Sequence, residues 1–408
     1  MVSLALKNCI RNVRRSLLTA IAVFIAIWVV VVMMGVMQTV VADMIRNNKE
    51  YESGDIRLRI ADYSKYENIM PLQFFIPSVD DVCRSVLSVD GVRSCEPLSR
   101  LSVSAYRGEQ LKTIQAVGVD TSISHFTTGR DVEILAGRMI DNGKREIVMT
   151  PKLLSELGME VGDSLTILSK TSTSGSNGAS FRIVGIVSYG NSEYNGDVVV
   201  MPLDQLSSLT RMDGGAMEVL VHIDPSAGLD ATIASIKLAL ADPSLEVRSW
   251  DEISLIAPFL SMYDITYLII ELLFFFIAST LIFNTTMMSV MERKREVSTM
   301  IALGFSRSSI IRLFMTEGMI ISTLGAVAAA VVGKATVALM GRYGIDLTLF
   351  GTEAVDGWGF SRMLYPQVSW STVLSVSMIC LAVAFGATTL ASMRVRRIEA
   401  AQALREEN

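Results

Sequence analysis

From Ser16 to Ala42 the chain carries no charged residue. A helix needs about 20 apolar residues to cross the hydrocarbon core of a bilayer. In that medium only a helix or a closed barrel satisfies the backbone hydrogen-bonding groups. The run is therefore read as a membrane helix, which limits what the rest of the chain can be. A cleaved secretory leader would have an apolar stretch of about 7–15 residues and a small-residue cleavage site. This run is longer and shows no clear site, so a retained anchor at 16–42 is expected. Ahead of it, Lys7, Arg11, Arg14 and Arg15 face Leu4, Leu6 and Ile10. Residues 1–15 thus read as an amphipathic segment lying on the membrane surface.

Three further apolar runs are expected to cross, at 265–291, 311–340 and 369–393. Hydrophobic residues make up 50% of the chain and charged residues 19%, with a mean hydropathy of +0.44, outside the range of an ordinary soluble domain. Lys and Arg near helix ends set the orientation. They cluster at the N-terminus, at 292–310 and just beyond it (Arg293, Lys294, Arg295, Arg307, Arg312), and in the 394–408 tail (Arg394, Arg396, Arg397, Arg405). The 341–368 loop holds only Arg342 and Arg362. Four crossings put the three basic segments on one side, so both termini and the 292–310 loop are expected in the cytoplasm.

Residues 43–264 differ in kind. They carry 31 acidic against 20 basic residues, a net of −11, with turn signals and short periodic runs throughout. Val79–Leu87 has helical spacing, and Asp90-Gly91 turns the chain into a strand-like stretch. The expectation is an extracytoplasmic α+β domain, with a subdomain near 116–210 inserted into a membrane-proximal part made from both flanks. The fold class is thus a membrane protein of four transmembrane α-helices, one plus three, with a large outer α+β domain between the first two.

No catalytic constellation appears. There is no G-x-x-x-x-G-K-[ST] phosphate loop, and Gly333-Lys334 lies inside an apolar run with Ala328 and Ala335 where that motif needs Gly and Ser/Thr. No cofactor or metal is expected in the chain itself, and two histidines, His125 and His222, cannot build a histidine-rich metal site. Nothing points to nucleic acid. Cys83 and Cys95 fall on the outward side, where disulfides form; they either pair across a helix–strand unit or remain two buried thiols. Glu271 and Glu317 are acids within crossings. Such groups are costly in lipid and often functional. Here each lies near an interface, so Glu271 reads as interfacial or bundle-facing. Glu317 reads as half of a structural ion pair with Arg312 or the basic loop.

The most informative stretch is Glu292–Gly318. Its basic opening leads into a mostly uncharged patch, Val297–Phe305, holding Met300, Ile301, Leu303 and Phe305. An exposed loop has no reason to keep those side chains together unless something covers them. Gly304 is expected to end a short helix and Ser306 to cap the next.

Arg295–Ser306, followed by Leu313-Phe314-Met315-Thr316-Glu317-Gly318, resembles the signature of FtsX-like ABC-transporter permeases, roughly R-E-I-G-x-L-[RK]-A-L-G-A-S and then L-F-x-x-E-G. Arg396–Arg405 resembles that family's R-x-[LI]-[DE]-P-x-x-A-L-R ending. Ser298, Ile301 and Ala400 depart from the pattern. Gly118-Val119-Asp120, Gly137–Thr150 and Gly158–Asp163 resemble the outer domains of MacB-like and lipoprotein-releasing (LolC/LolE-like) members. The resemblance implies a non-catalytic permease subunit of the bacterial inner membrane. ATP and Mg²⁺ would be bound by a separate cytoplasmic ABC ATPase dimer. Docking would use Arg295, Glu296, Met300, Ile301, Ala302, Leu303, Gly304 and Ser306. It further implies a second permease copy or paralogue, surrounding membrane lipid, and a lipoprotein or periplasmic substrate, with or without a periplasmic carrier. Lipoprotein release by mechanotransmission is the leading reading. Drug or peptide export, and signalling to cell-wall hydrolases, are the alternatives.

Overall fold

The computed structural model describes residue 11 and residues 13–63, 72–108, 110–190, 192–253, 257–347 and 363–397. The expected surface segment over residues 1–10, much of the 341–368 loop and the tail beyond Arg397 lie outside these. The chain divides into two compact units, one of residues 1–41, 260–345 and 364–408, the other of residues 42–259 and 346–363.

The first unit is helical. Among the described residues, four helices are long and apolar enough to cross a membrane. They are α1 (Val13–Asn47), α8 (Ala257–Glu292), α10 (Arg307–Tyr343) and α11 (Trp370–Ser392). α10 is the most buried of the four and α8 the least. Lipid offers no hydrophobic drive to hold helices together, so close backbone approach through small residues takes over. α10 shows this along its length. A Cβ on Gly325 would lie 2.6 Å from the Ala20 carbonyl oxygen of α1, and one on Gly318 would lie 2.6 Å from the Thr388 side chain of α11. Gly333 approaches Val31, and Gly35 of α1 receives Val337 in return. Polar ties reinforce the contact: Trp28 Nε1 donates to Thr336 Oγ1 at 3.1 Å.

The second unit is built on a ten-stranded sheet. Its strands are β1 (Ile56–Ile60), β2 (Val92–Arg107), β3 (Gln110–Val119), β4 (Val132–Gly137), β5 (Glu146–Met149), β6 (Ser164–Lys170), β7 (Ser176–Tyr189), β8 (Val198–Pro202), β9 (Glu218–Ile223) and β10 (Leu245–Ser249). The order is β10-β1-β9-β2-β3-β8-β5-β7-β4, with β6 pairing both β2 and β7. The sheet runs without a break through 116–210 and its flanks. Among the described residues, six α-helices accompany it: α2 (Val79–Leu87), α3 (His125–Thr128), α4 (Pro151–Leu157), α5 (Leu203–Thr210), α6 (Leu229–Leu240) and α7 (Trp250–Ile253). Cys83 of α2 and Cys95 of β2 form a disulfide, with Cα atoms 5.6 Å apart. The unit buries a charged knot. Glu218 at the start of β9 accepts from Arg59 Nε at 2.8 Å and from Arg100 Nε and Nη2 at 2.8 and 2.6 Å. Burial pushes the Glu218 carboxyl up, but Arg100, Arg59 and Arg57 overcome this and hold it down at about 2.

Two predictions follow from the packing and the knot. Gly325→Ala should destabilise the helical unit by about 1–3 kcal/mol through overpacking against α1. Gly386→Ala, with open space at its Cβ position, should be neutral or mildly stabilising through helix propensity. Thermal unfolding of both variants in detergent micelles checks the contrast. Glu218→Gln should cost about 3–5 kcal/mol, because it strands buried guanidinium groups. The folded pKa of Glu218 is depressed, so its stabilising contribution is fully present above about 4.5, the ordinary value, and is lost as pH falls toward 2. The acid limb of a stability–pH profile should accordingly be shallower in Glu218→Gln than in the wild type.

Candidate coupling segment

Between α8 and α10 lies a short amphipathic helix, α9 (Lys294–Ala302). Its end is set by backbone chemistry. Gly304 takes φ +90°, the Gly304 N–H donates to the Ile301 carbonyl at 3.0 Å, and the Phe305 N–H donates to the Met300 carbonyl at 3.0 Å. This double closure is the Schellman motif, which needs a residue free of Cβ strain at its turning point. Ser306 then restarts the chain. Its backbone is extended, and its Oγ accepts from the Ser309 N–H at 3.2 Å, capping α10. α10 therefore begins at Arg307, ahead of the Ile311 boundary drawn from hydropathy.

The inner face of α9 is anchored. Val297 packs with Val290, Ile310, Ile311, Phe314 and Val395, so α8, α9, α10 and the segment after α11 share one small core. Arg293, just ahead of α9, fastens that core electrostatically. Its Nη1 lies 3.1 Å from Glu317 Oε2, its Nε donates to Glu296 Oε2 at 2.6 Å, and its guanidinium lies over the Phe314 ring. Arg293 and Glu317 are both buried. Glu317 is thus paired, but with Arg293 and not Arg312. Arg312 points Nη2 at Ser309 Oγ of its own helix. Glu296 is also bridged to Arg11 at 2.7 Å. Burial pushes its carboxyl up, but the Arg293 hydrogen bond and the Arg293 and Arg11 charges hold it below the ordinary value.

The apolar patch that the sequence presents as one surface is divided. Met300 and Ile301 are half-buried against the small core. Ala302 is exposed, Leu303 is 74% exposed and Phe305 52% exposed, so the outward apolar surface straddles the Gly304 turn. Arg295 and Ser306 are exposed beside it. Met300, one of the expected docking residues, thus faces the small core in part, because Val297 and the α10 residues pack on its side of the helix. Glu271 of α8 is half-buried, and no salt bridge to it is found among the described residues. Cys83 and Cys95 are joined in the other unit and take no part in this segment.

One cluster has no local sequence signal. The chain's two histidines meet in the sheet unit, ring centroids 4.8 Å apart, beside buried Glu96. The Glu96 hydrogen bond raises the His125 pKa against the effect of burial, whereas burial lowers that of His222. Only strand pairing and the position of α3 bring these residues together.

Two family models together match most of the chain. The family model described as MacB-like periplasmic core domain matches residues 16–239, and that described as FtsX-like permease C-terminal matches residues 268–400. The lipoprotein-releasing system transmembrane protein LolC of Neisseria meningitidis is 24% identical over 336 residues, covering 78% of this chain and 79% of that protein. LolC of Xylella fastidiosa is 24% identical over 274 residues, covering 65% and 66%, so the chain spans about two thirds of that relative's length. ABC transporter permease YtrF of Bacillus subtilis is 25% identical, covering 56% of this chain and 52% of that protein. Among solved structures, the periplasmic region of MacB from Actinobacillus actinomycetemcomitans is similar at a TM-score of 0.36 and 11% identity, covering 52% of this chain and 95% of that one. The extracellular domain of the noncanonic ABC-type transporter YknZ gives 0.35 and 14%, covering 48% and 99%. Four apolar helices together with such relatives mark a bacterial membrane protein. With both halves matched, the chain belongs to the FtsX-like ABC-transporter permease family with a MacB/LolC-like periplasmic core domain, and that membership implies an ATPase partner.

Proposed function

We propose that this chain is the permease subunit through which a separate cytoplasmic ABC ATPase dimer drives work outside the membrane, and that the work is release of lipoproteins toward the outer membrane. The observation that carries the coupling role is the joint at Gly304. A short helix, packed through Val297 and tied at its start by Arg293 to Glu317, leads into a turn that offers Leu303 and Phe305 outward. It then turns through a Schellman motif directly into a capped, 37-residue helix. Helix-in-groove recognition takes such an element. Force applied to α9 enters α10 through the shared core and the buried ion pair. In this reading both termini and α9 are cytoplasmic, the sheet unit is periplasmic, and a second permease copy or paralogue completes the assembly.

Lipoproteins are favoured as substrate because the LolC of Neisseria meningitidis matches over most of both chains. The match to the MacB-like core domain supports export of a drug or peptide as the second reading. Signalling to cell-wall hydrolases is the alternative from a different class.

Leu303→Asp should abolish co-purification of the ATPase, since it places a charge on the outward apolar surface; retained association would remove α9 from the interface. Gly304→Val should leave assembly and ATP hydrolysis in place while release falls at least about tenfold. Nothing lies within 4 Å of the added Cβ, so the variant meets backbone strain without a clash. A β-branched residue at φ +90° costs about 1–3 kcal/mol. Gly304→Asn, which tolerates positive φ, should be close to wild type. Hydrolysis and lipoprotein release measured side by side in reconstituted membranes check this. Normal release by Gly304→Val would show that the glycine is not the mechanical joint.

A further inference from the structure

Glu96, His125 and His222 are brought together by three separate elements of the sheet unit. Glu96 lies on β2 and His222 on β9, where the register pairs Ser94 with His222 and Glu96 with Leu220. The two side chains are therefore diagonal neighbours on one face. His125 opens α3, held there by the Ser124 cap and by Phe126, which is wedged between Tyr51, Tyr189 and Tyr194. Glu96 Oε2 is 3.3 Å from His125 Nδ1 and 4.0 Å from His222 Nε2. All three candidate donor atoms fall within 4.8 Å of one another.

A histidine–glutamate hydrogen bond accounts for only part of this. His222 Nε2 and Glu96 Oε1 are both buried without a hydrogen-bond partner. The Glu96 side chain is 2% exposed and that of His222 12%. Leaving two such atoms unsatisfied is expensive unless something takes their lone pairs. A metal ion bound at about 2.0–2.1 Å with tetrahedral angles keeps its donors about 3.3 Å apart. The Glu96–His125 distance already has that value, and the widest separation must close by about 1.5 Å. Glu50 and Asp55 bring negative charge to the two rings, opposed by Arg93 and, at Asp55, by Lys49. Two imidazoles with one carboxylate suit a borderline transition metal, and not Mg²⁺ or Ca²⁺, which prefer oxygen.

We propose that Glu96, His125 and His222 form a site for one Zn²⁺-class divalent cation, leaving a fourth position open on the side of partly exposed His125. Bound there, the ion pins α3 to the β2–β9 pair, next to the disulfide-held end of β2 at Cys95. This site is independent of the coupling segment and of the identity of the transported substrate.

The test uses the full, tag-free chain in detergent micelles at neutral pH. Zn²⁺ is titrated against a chromophoric chelator, and Co²⁺ serves as a visible-absorption probe of tetrahedral coordination. The wild type should take up one equivalent of Zn²⁺ and give tetrahedral Co²⁺ bands, with excess Mg²⁺ not competing. His125→Gln and His222→Gln should each bind at least about tenfold more weakly, and the double variant should give no tetrahedral bands. Zn²⁺ should raise the wild-type unfolding midpoint, as a ligand selective for the folded state must, and leave that of the double variant unmoved. Unfolding without metal identifies any variant that fails to fold, and His125→Gln, at the exposed edge, then carries the comparison alone. Zn²⁺ binding equally tight in wild type and His125→Gln, or no tetrahedral Co²⁺ signal in the wild type, would overturn the proposal.

Discussion

Backbone amides and carbonyls find no water in hydrocarbon, and this constraint governs the molecule. It forces the apolar runs into helices whose hydrogen bonds are internal. It also confines the long sheet, with ten strands paired across distant parts of the sequence, to a separate unit whose edges and loops can meet water. Once helices are the only option, the hydrophobic effect no longer selects their neighbours. Selection passes to shape and to the few polar groups present. That is why Gly318, Gly325 and Gly333 along α10, and Gly35 on α1, matter more to the helical unit than its many leucines and valines.

The same logic explains the Arg293–Glu317 pair. A carboxylate near the end of a membrane helix is costly alone, and so is a buried guanidinium. Placed 3.1 Å apart and flanked by the Phe314 ring, each removes the other's cost. The pair works as a geometric fastener more than as a source of stability. It ties the residue preceding α9 to the first turns of α10, so the two helices can turn sharply at Gly304 without separating. The knot at Glu218 follows the same pattern in the sheet unit, where one carboxylate accepts from two arginines on neighbouring strands.

Glu96, His125 and His222 differ from these knots in one respect. In the other two, every buried charge has an opposite within hydrogen-bonding reach. Here two buried lone-pair atoms have none. Other buried atoms without a partner, such as the Tyr51 and Tyr189 hydroxyls, belong to neutral groups that stand singly; here a carboxylate and an imidazole lie together, and that juxtaposition points to a ligand.

By itself the sequence determined the four apolar helices, the presence of a mixed domain between the first two, and the local punctuation of the coupling segment. These depend on neighbours a few residues apart: uncharged runs, a glycine able to take positive φ at 304, a serine at 306 able to cap. The family resemblance rested on the same short-range pattern. Tertiary structure decided what depends on distant residues. It chose Arg293 over Arg312 as the partner of Glu317, because the turn at Gly304 carries the start of α9 back toward α10 while Arg312 points along its own helix. It turned Met300 inward and left Leu303 outward, because Val297, Ile310 and Phe314 occupy one side of a helix too short to be read from periodicity alone. It joined Cys83 to Cys95, a pairing that spacing had left open. And it gathered two isolated histidines around Glu96, because the register of β2 on β9 and the position of α3 are properties of a folded sheet, which no local stretch of sequence encodes.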